Sequence, residues 1–213
     1  MSTNFCTSKT KENLMRAFAG ESQARNRYTM AQEQAEQSKE YVLAALYKFT
    51  ANQEKVHAEI FYNHLKECSG ENIQIDGAYP VDIANDLCKL TEMAVHNETE
   101  EAEDVYPAFA ATAREEGFAA IAQDFENIAK IEKAHAERFK TFADMCKNNS
   151  TYRSEEPVRW VCLNCGFILE SNEAPQMCPV CKEPQGYYMR LEMSNWGCLL
   201  YTSPSPRDST SSR

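Results

Sequence analysis

Four stretches of this chain carry an apolar stripe at helical spacing, and acidic residues interrupt every one of them. Ile121, Phe125, Ile128, Glu132, His135, Phe139 and Phe142 step by alternating fours and threes, the period of one helix face. Leu43, Leu46, Thr50, Glu54, His57 and Phe61 repeat the pattern, as do Leu87, Ala94, Glu98, Glu101, Val105 and Phe109, and Leu14, Phe18, Glu21 and Tyr28. Five glutamates and two histidines therefore point into one interior. An ionised carboxylate buried without a partner is prohibitively costly, and five together demand positive charge. No lysine lies on these stripes and Arg25 is the one nearby arginine. Two divalent cations, roughly +4 against −5, supply what the chain lacks.

Spacing leads to the same place independently. Glu54-Lys-Val-His57 and Glu132-Lys-Ala-His135 each set a carboxylate and an imidazole one turn apart on a single face. Glu21 precedes the first motif by 33 residues and Glu98 precedes the second by 34. Oxygen-rich sites with two imidazoles favour iron or manganese over zinc or copper, so the expected centre holds two iron ions, with Fe/Mn or Fe/Zn as alternatives. The remaining glutamates, such as Glu12, Glu33 and Glu126, are read as solvated faces, and His64 and His96 as lying outside the site. Tyr28 and Tyr106 are either packing or donors beside the metals.

The segments 8–37, 39–68, 82–116 and 118–147 are rich in Ala, Glu, Lys, Leu and Met and predict long helices. Gly117 stands where a C′ glycine ends the third. The connection around Ser69 to Pro80 is long and the other two are tight. Short, long, short predicts a ferritin-like four-helix bundle with one crossover over residues 1–147, and one glutamate from each of two helices with Glu-x-x-His from the others is that architecture's di-iron arrangement. A polar stretch, 148–157, reads as a linker. Residues 158–197 change character to Cys, Pro, Gly and aromatics. There Cys162-x-x-Cys165 and Cys178-x-x-Cys181 form two knuckles for one tetrahedral ion, iron or zinc. Cys6, Cys68, Cys88 and Cys146 sit at no ligand spacing and are read as idle thiols. Residues 198–213 resemble the translation of a sequencing-library adapter, or else form a Ser/Pro-rich tail, and carry no chemistry.

With 32 acidic against 22 basic side chains, the net charge of −10 argues against nucleic acid. No apolar run is long enough for a membrane span, and the first fifteen residues lack an apolar secretory core. A cytoplasmic protein is expected, in which nine cysteines serve metal rather than a disulfide framework.

Together these residues resemble the rubrerythrin family. The resemblance covers residues 8–196 and rests on Glu21, Glu54-x-x-His57, Glu98-x-x-Glu101 followed by Tyr106-Pro107, Glu132-x-x-His135, and Trp160-Val-Cys-Leu-Asn-Cys-Gly-Phe with Ala-Pro-Gln-Met-Cys-Pro-Val-Cys181. It implies a ferritin-like di-iron domain followed by a rubredoxin-like domain. By resemblance Glu54 and Glu132 bridge the irons, Glu21 with His57 or Glu101 holds the first, and Glu98 with His135 the second. It also implies a peroxidase that reduces hydrogen peroxide in oxidative-stress defence, with an iron on Cys162, Cys165, Cys178 and Cys181 relaying electrons. The implied donor is a rubredoxin or an NAD(P)H-dependent reductase, and the implied assembly a head-to-tail homodimer. A ferroxidase and a zinc-ribbon interaction protein are the alternatives.

Overall fold

A computed structural model describes residues 4–194 of the chain. The expectation for 198–213 lies outside the described residues. Helices α1 (Lys9–Gln37), α2 (Tyr41–His64), α3 (Leu87–Glu100), α4 (Tyr106–Glu115) and α5 (Ala119–Lys147) form one compact unit ending at Thr151, and a second unit begins at Tyr152.

Capping explains where the helices start and stop. Ser8 Oγ accepts from the Lys11 amide at 3.0 Å, while the Glu116 carboxylate accepts from the amides of Lys9 and Thr10 at 3.0 and 2.8 Å. Three of the four unpaired amides at the start of α1 are thereby satisfied. α1, α4 and α5 all end in the same way. Lys39, Gly117 and Asn149 adopt φ of 62°, 92° and 52°. The amides of Glu40, Phe118 and Ser150 reach back to the carbonyls of Ala35, Ala113 and Met145 at 2.8 Å each. This is the Schellman arrangement, with a left-handed residue at C′.

The third predicted helix is two. Its first turn begins at Leu87 rather than Asp82, because the Asp86 side chain caps it by accepting from the Cys88 amide at 2.9 Å. Asp82 instead pairs with Arg27 and accepts from Asn97 Nδ2. Between α3 and α4 the backbone opens into a π-turn, Glu101–Val105. Pro107 follows at the second position of α4. Proline cannot donate to the preceding turn, and its ring would collide with that turn's carbonyl in a continuous helix. The second predicted helix also ends early, at His64, and finishes in a 3-10 turn, Leu65–Cys68.

The crossover, residues 69–86, is tied along α1. Arg16 holds Asp76 at 2.6 Å, Tyr79 donates to the Arg16 carbonyl at 3.0 Å, and Gln34 donates to the Ala84 carbonyl at 3.1 Å. These anchors ascend α1 over about 27 Å, at 1.5 Å per residue, so the crossover follows more than half of that 29-residue helix. Two aromatic plugs fill its interior. Tyr28, Tyr47 and Phe139 meet at one level, with ring centroids 5.2 to 5.9 Å apart. Phe61, Tyr106 and Phe125 meet at the other, 5.0 to 6.0 Å apart. The acidic residues of the stripes lie between them.

Cys88 and Cys146, expected to be idle, form a disulfide between the first turn of α3 and the last of α5, with Cα atoms 5.8 Å apart. They are 58 residues apart in sequence, and only the bundle topology brings them together.

In the second unit, β1 (Arg153–Cys162), β2 (Ile168–Glu173) and β3 (Tyr188–Arg190) form an antiparallel sheet of order β2-β1-β3. Residues 153–157, predicted as linker, belong to β1. The register slips between Arg153 and Val158, and Pro157, which has no amide to give, sits in that irregularity. Trp160 is fully buried and its indole donates to the Ser171 carbonyl at 3.0 Å.

Candidate metal centre

Helices α1, α2, α3 and α5 deliver Glu21, Glu54, His57, Glu98, Glu132 and His135 to one layer, each at most 4% exposed. They fall into two groups whose ligand atoms lie within 4.8 Å of one another: Glu21, Glu54, His57 and Glu132, and Glu54, Glu98, Glu132 and His135. Glu54 and Glu132 belong to both. Each divides its oxygens between the histidines. Glu54 Oε2 is 3.1 Å from His57 Nδ1 and its Oε1 is 3.1 Å from His135 Nδ1; Glu132 Oε1 and Oε2 are 2.9 and 2.7 Å from the same two nitrogens. A carboxylate so placed could offer one oxygen to a cation in each group.

Each outer glutamate is held by a tyrosine. Tyr106 donates to Glu21 Oε1 and Tyr28 donates to Glu98 Oε1, both in short buried hydrogen bonds. The two halves of the site are thus near-copies. His135 follows His57 by 78 residues, Tyr106 follows Tyr28 by 78, and Glu98 follows Glu21 by 77. The one-residue difference falls between Glu98 and Tyr106, where the π-turn accommodates it.

The donor set fits divalent metal. An imidazole nitrogen can donate one proton at most, yet each Nδ1 faces three carboxylate oxygens. Glu21 Oε2, Glu54 Oε1 and both Glu132 oxygens are buried without a hydrogen-bond partner. Burial, with Glu54 adding to it, pushes Glu21 up to about 8, and burial and Glu21 push Glu132 up to about 7. Metal must displace those protons, so loading should release protons and weaken as pH falls from 8 to 6, by about tenfold or more. Calorimetric metal titration in buffers of different ionisation enthalpy checks this, and pH-independent affinity would contradict it.

Gln53 adds a further contact that no spacing in the sequence marks. Its Oε1 lies 3.0 Å from His135 Nε2, so it accepts from that nitrogen and orients the ring with Nδ1 toward the carboxylates. Only its position one residue before Glu54 could have hinted at it. His64 instead pairs with Asp124 at 2.7 Å, and His96 is exposed.

Glu101 is not brought into either group. It stands half-buried at the start of the π-turn and lines a cavity of about 270 Å³ with Ala17, Gly20, Tyr79, Tyr106 and Phe109. Burial first, then the charges of Glu21, Glu98 and Glu132, hold its carboxyl well above the usual range.

In the second unit Cys162, Cys165, Cys178 and Cys181 converge, with Sγ separations of 3.7 Å for Cys162 to Cys181 and for Cys165 to Cys178. A tetrahedron of thiolates about 2.3 Å from a metal has edges of about 3.8 Å. The knuckles turn through Gly166 and Lys182, at φ of 76° and 65°, whose amides donate to the carbonyls of Cys162 and Cys178.

A bundle with two carboxylate–histidine groups sharing two glutamates, joined to a four-cysteine knuckle module, defines a di-metal carboxylate protein with a rubredoxin-like domain. The rubrerythrin family model matches residues 12–143, and the model for the rubrerythrin rubredoxin-like domain matches 160–189. Rubrerythrin of Clostridium perfringens is 42% identical over 181 residues, 84% of this chain and 93% of its own length. Rubrerythrin of Nitratidesulfovibrio vulgaris is 36% identical, over 89% and 97%. Among solved structures, fully reduced, all-ferrous nigerythrin aligns with a TM-score of 0.57 at 26% identity, covering 88% of this chain and 92% of that one. Desulfovibrio desulfuricans bacterioferritin aligns at 0.59 and 29%, covering 67% and 82%. The chain belongs to the rubrerythrin family, with a ferritin-like bundle and a rubredoxin-like domain. Among the described residues no helix is long and apolar enough to cross a membrane.

Proposed function

We propose that this chain is a cytoplasmic non-haem di-iron peroxidase that reduces hydrogen peroxide to water in oxidative-stress defence. The balance is one peroxide, two electrons and two protons to two waters. Glu21, Glu54, His57, Glu98, Glu132 and His135 would hold the iron, which would supply one electron from each of two ferrous ions together with Lewis acidity. The residues supply protons and place. Tyr106 and Tyr28, whose hydroxyls burial keeps protonated, donate to the outer oxygens of Glu21 and Glu98 and hold those carboxylates in place. Glu101 carries the reading: a carboxyl beyond both ligand groups, biased toward its protonated form and lining the cavity, suited to give a proton to an oxygen leaving as water. The aromatic plugs keep bulk water from the layer between them.

The test is anaerobic stopped-flow oxidation of the ferrous protein. Peroxide should oxidise it at least about tenfold faster than dioxygen at equal concentration. Equal rates would favour the alternative, a ferroxidase that handles iron. Two zinc ions and no visible absorbance in the isolated protein would favour an interaction module.

Electrons would return through an iron on Cys162, Cys165, Cys178 and Cys181, from a rubredoxin or an NAD(P)H-dependent reductase. The assembly we propose is a head-to-tail homodimer, in which one chain's cysteine site serves its partner's di-iron site. Mixing inactive Cys178→Ser and Glu54→Ala chains after subunit exchange should restore a substantial fraction of donor-linked turnover. A mixture as inactive as its components would rule that arrangement out.

A further inference from the structure

The bundle contains a second cysteine pair. Cys6 lies in the 3-10 turn Phe5–Thr7 before α1, Cys68 closes the 3-10 turn after α2, and their Sγ atoms are 3.6 Å apart. Both are free thiols. The pair occupies the opposite end of the bundle from Cys88–Cys146. Phe5 packs edge-on against Phe118, and Glu116 caps α1, so the start of α1 sits beside the α4–α5 turn, whereas Cys88 and Cys146 lie at the far ends of α3 and α5. Each pair therefore joins the beginning of one helical hairpin to its end: α1–α2 by Cys6 and Cys68, α3–α5 by Cys88 and Cys146.

We propose that Cys6 and Cys68 form a redox site of their own, a dithiol that hydrogen peroxide oxidises to a disulfide, stapling the hairpin that carries Glu21, Glu54 and His57. Closing it needs the sulfurs to approach by about 1.5 Å, to the 2.05 Å of an S–S bond. That movement is shared between two short turns outside the long helices. Cys6 is half-buried and Cys68 is 4% exposed, so peroxide meets Cys6 first. The Cys6 sulfur takes one peroxide oxygen as the O–O bond breaks, giving a sulfenic acid and one water. The Cys68 sulfur then attacks the Cys6 sulfur and expels the second water. Two thiols and one peroxide become one disulfide and two waters, with two electrons passing from sulfur to oxygen. Burial, and Cys6 beside it, keep the Cys68 thiol up, consistent with Cys68 as the resolving partner rather than the first to react.

The experiment uses the full metal-loaded chain, reduced with a phosphine, exposed to a slight excess of hydrogen peroxide and then alkylated. Trypsin with cleavage before Asp76 separates Cys68 from Cys88 for mass spectrometry. The expected result is a cross-link between the Cys6 and Cys68 peptides, 2 Da below their sum, with both sites losing alkylation together. In Cys68→Ser, Cys6 should instead be trapped by dimedone as the sulfenic acid. Two results would overturn the proposal: both thiols remaining fully alkylatable, or Cys6 becoming oxidised while Cys68 stays a thiol in the unmodified chain. In a Cys88→Ser/Cys146→Ser background, oxidation should raise the melting temperature by several degrees, reversibly with dithiothreitol, and an unmoved melt would remove the stapling role. If that background does not fold, the cross-link in the unmodified chain decides.

Discussion

Replacing Glu132 with leucine is expected to make the metal-free protein more stable while abolishing metal binding at both positions. Glu132 is fully buried, its oxygens face only the His57 and His135 nitrogens without a well-aligned hydrogen bond, and it is shared by both ligand groups. Replacing buried ionic groups by apolar side chains of similar volume is often neutral or stabilising by about 1–4 kcal/mol when no charge is left unpaired, and here Glu21, Glu54 and Glu98 still face the two histidines. The pH dependence has a definite sign. Glu132 is raised from 4.5 to about 7, so the folded metal-free protein binds a proton the unfolded chain gives up, and its stability falls as pH rises between those values. The gain from leucine should therefore be small below pH 4.5 and complete above pH 7. Urea denaturation of the metal-free proteins at pH 4.5 and 8, with metal analysis, reads both effects. A less stable variant at pH 8, or one still binding two metals, would refute the account. In the unmodified chain metal restores the balance, since a ligand that binds only the folded state stabilises it by mass action.

Glu101→Ala is expected to lower peroxide turnover by about 100-fold or more, the scale of a lost general acid, with two metals still bound in the bundle. Glu101 belongs to neither ligand group, so the six residues that form them remain. Steady-state peroxide reduction with an artificial donor, alongside iron analysis, separates the effects. Unchanged turnover would remove the proton-donor role given to Glu101, and lost iron would make it an essential ligand instead.

The bundle interior was legible because its chemistry is periodic. Glutamates at core positions contradict the hydrophobic pattern so plainly that a compensating cation follows from the stripes alone, and the recurring Glu-x-x-His locates it. Gly117 announced its helix end because glycine is the usual left-handed residue. Lys39 and Asn149 do the same work without that signature, so only the backbone shows it. The π-turn was hidden because the apolar stripe runs through Glu101 and Val105 without a break; Pro107 was the one visible warning. The start of β1 reads as a linker because its residues are polar, mostly exposed and include a proline. Gln53 and the Cys88–Cys146 bond depend on which helices become neighbours, and no local spacing encodes that.

The residue by which one half of the bundle exceeds the other has a consequence for the ions themselves. Two positions built from a repeated pattern would otherwise be interchangeable. The surplus unit in the third helix leaves a solitary acid with no twin across the pseudo-dyad, and among its carboxylate neighbours Glu21 acts on it most strongly. The environments of the two cations are therefore inequivalent by inheritance of the chain, and occupancy and valence should change at them in sequence rather than in unison.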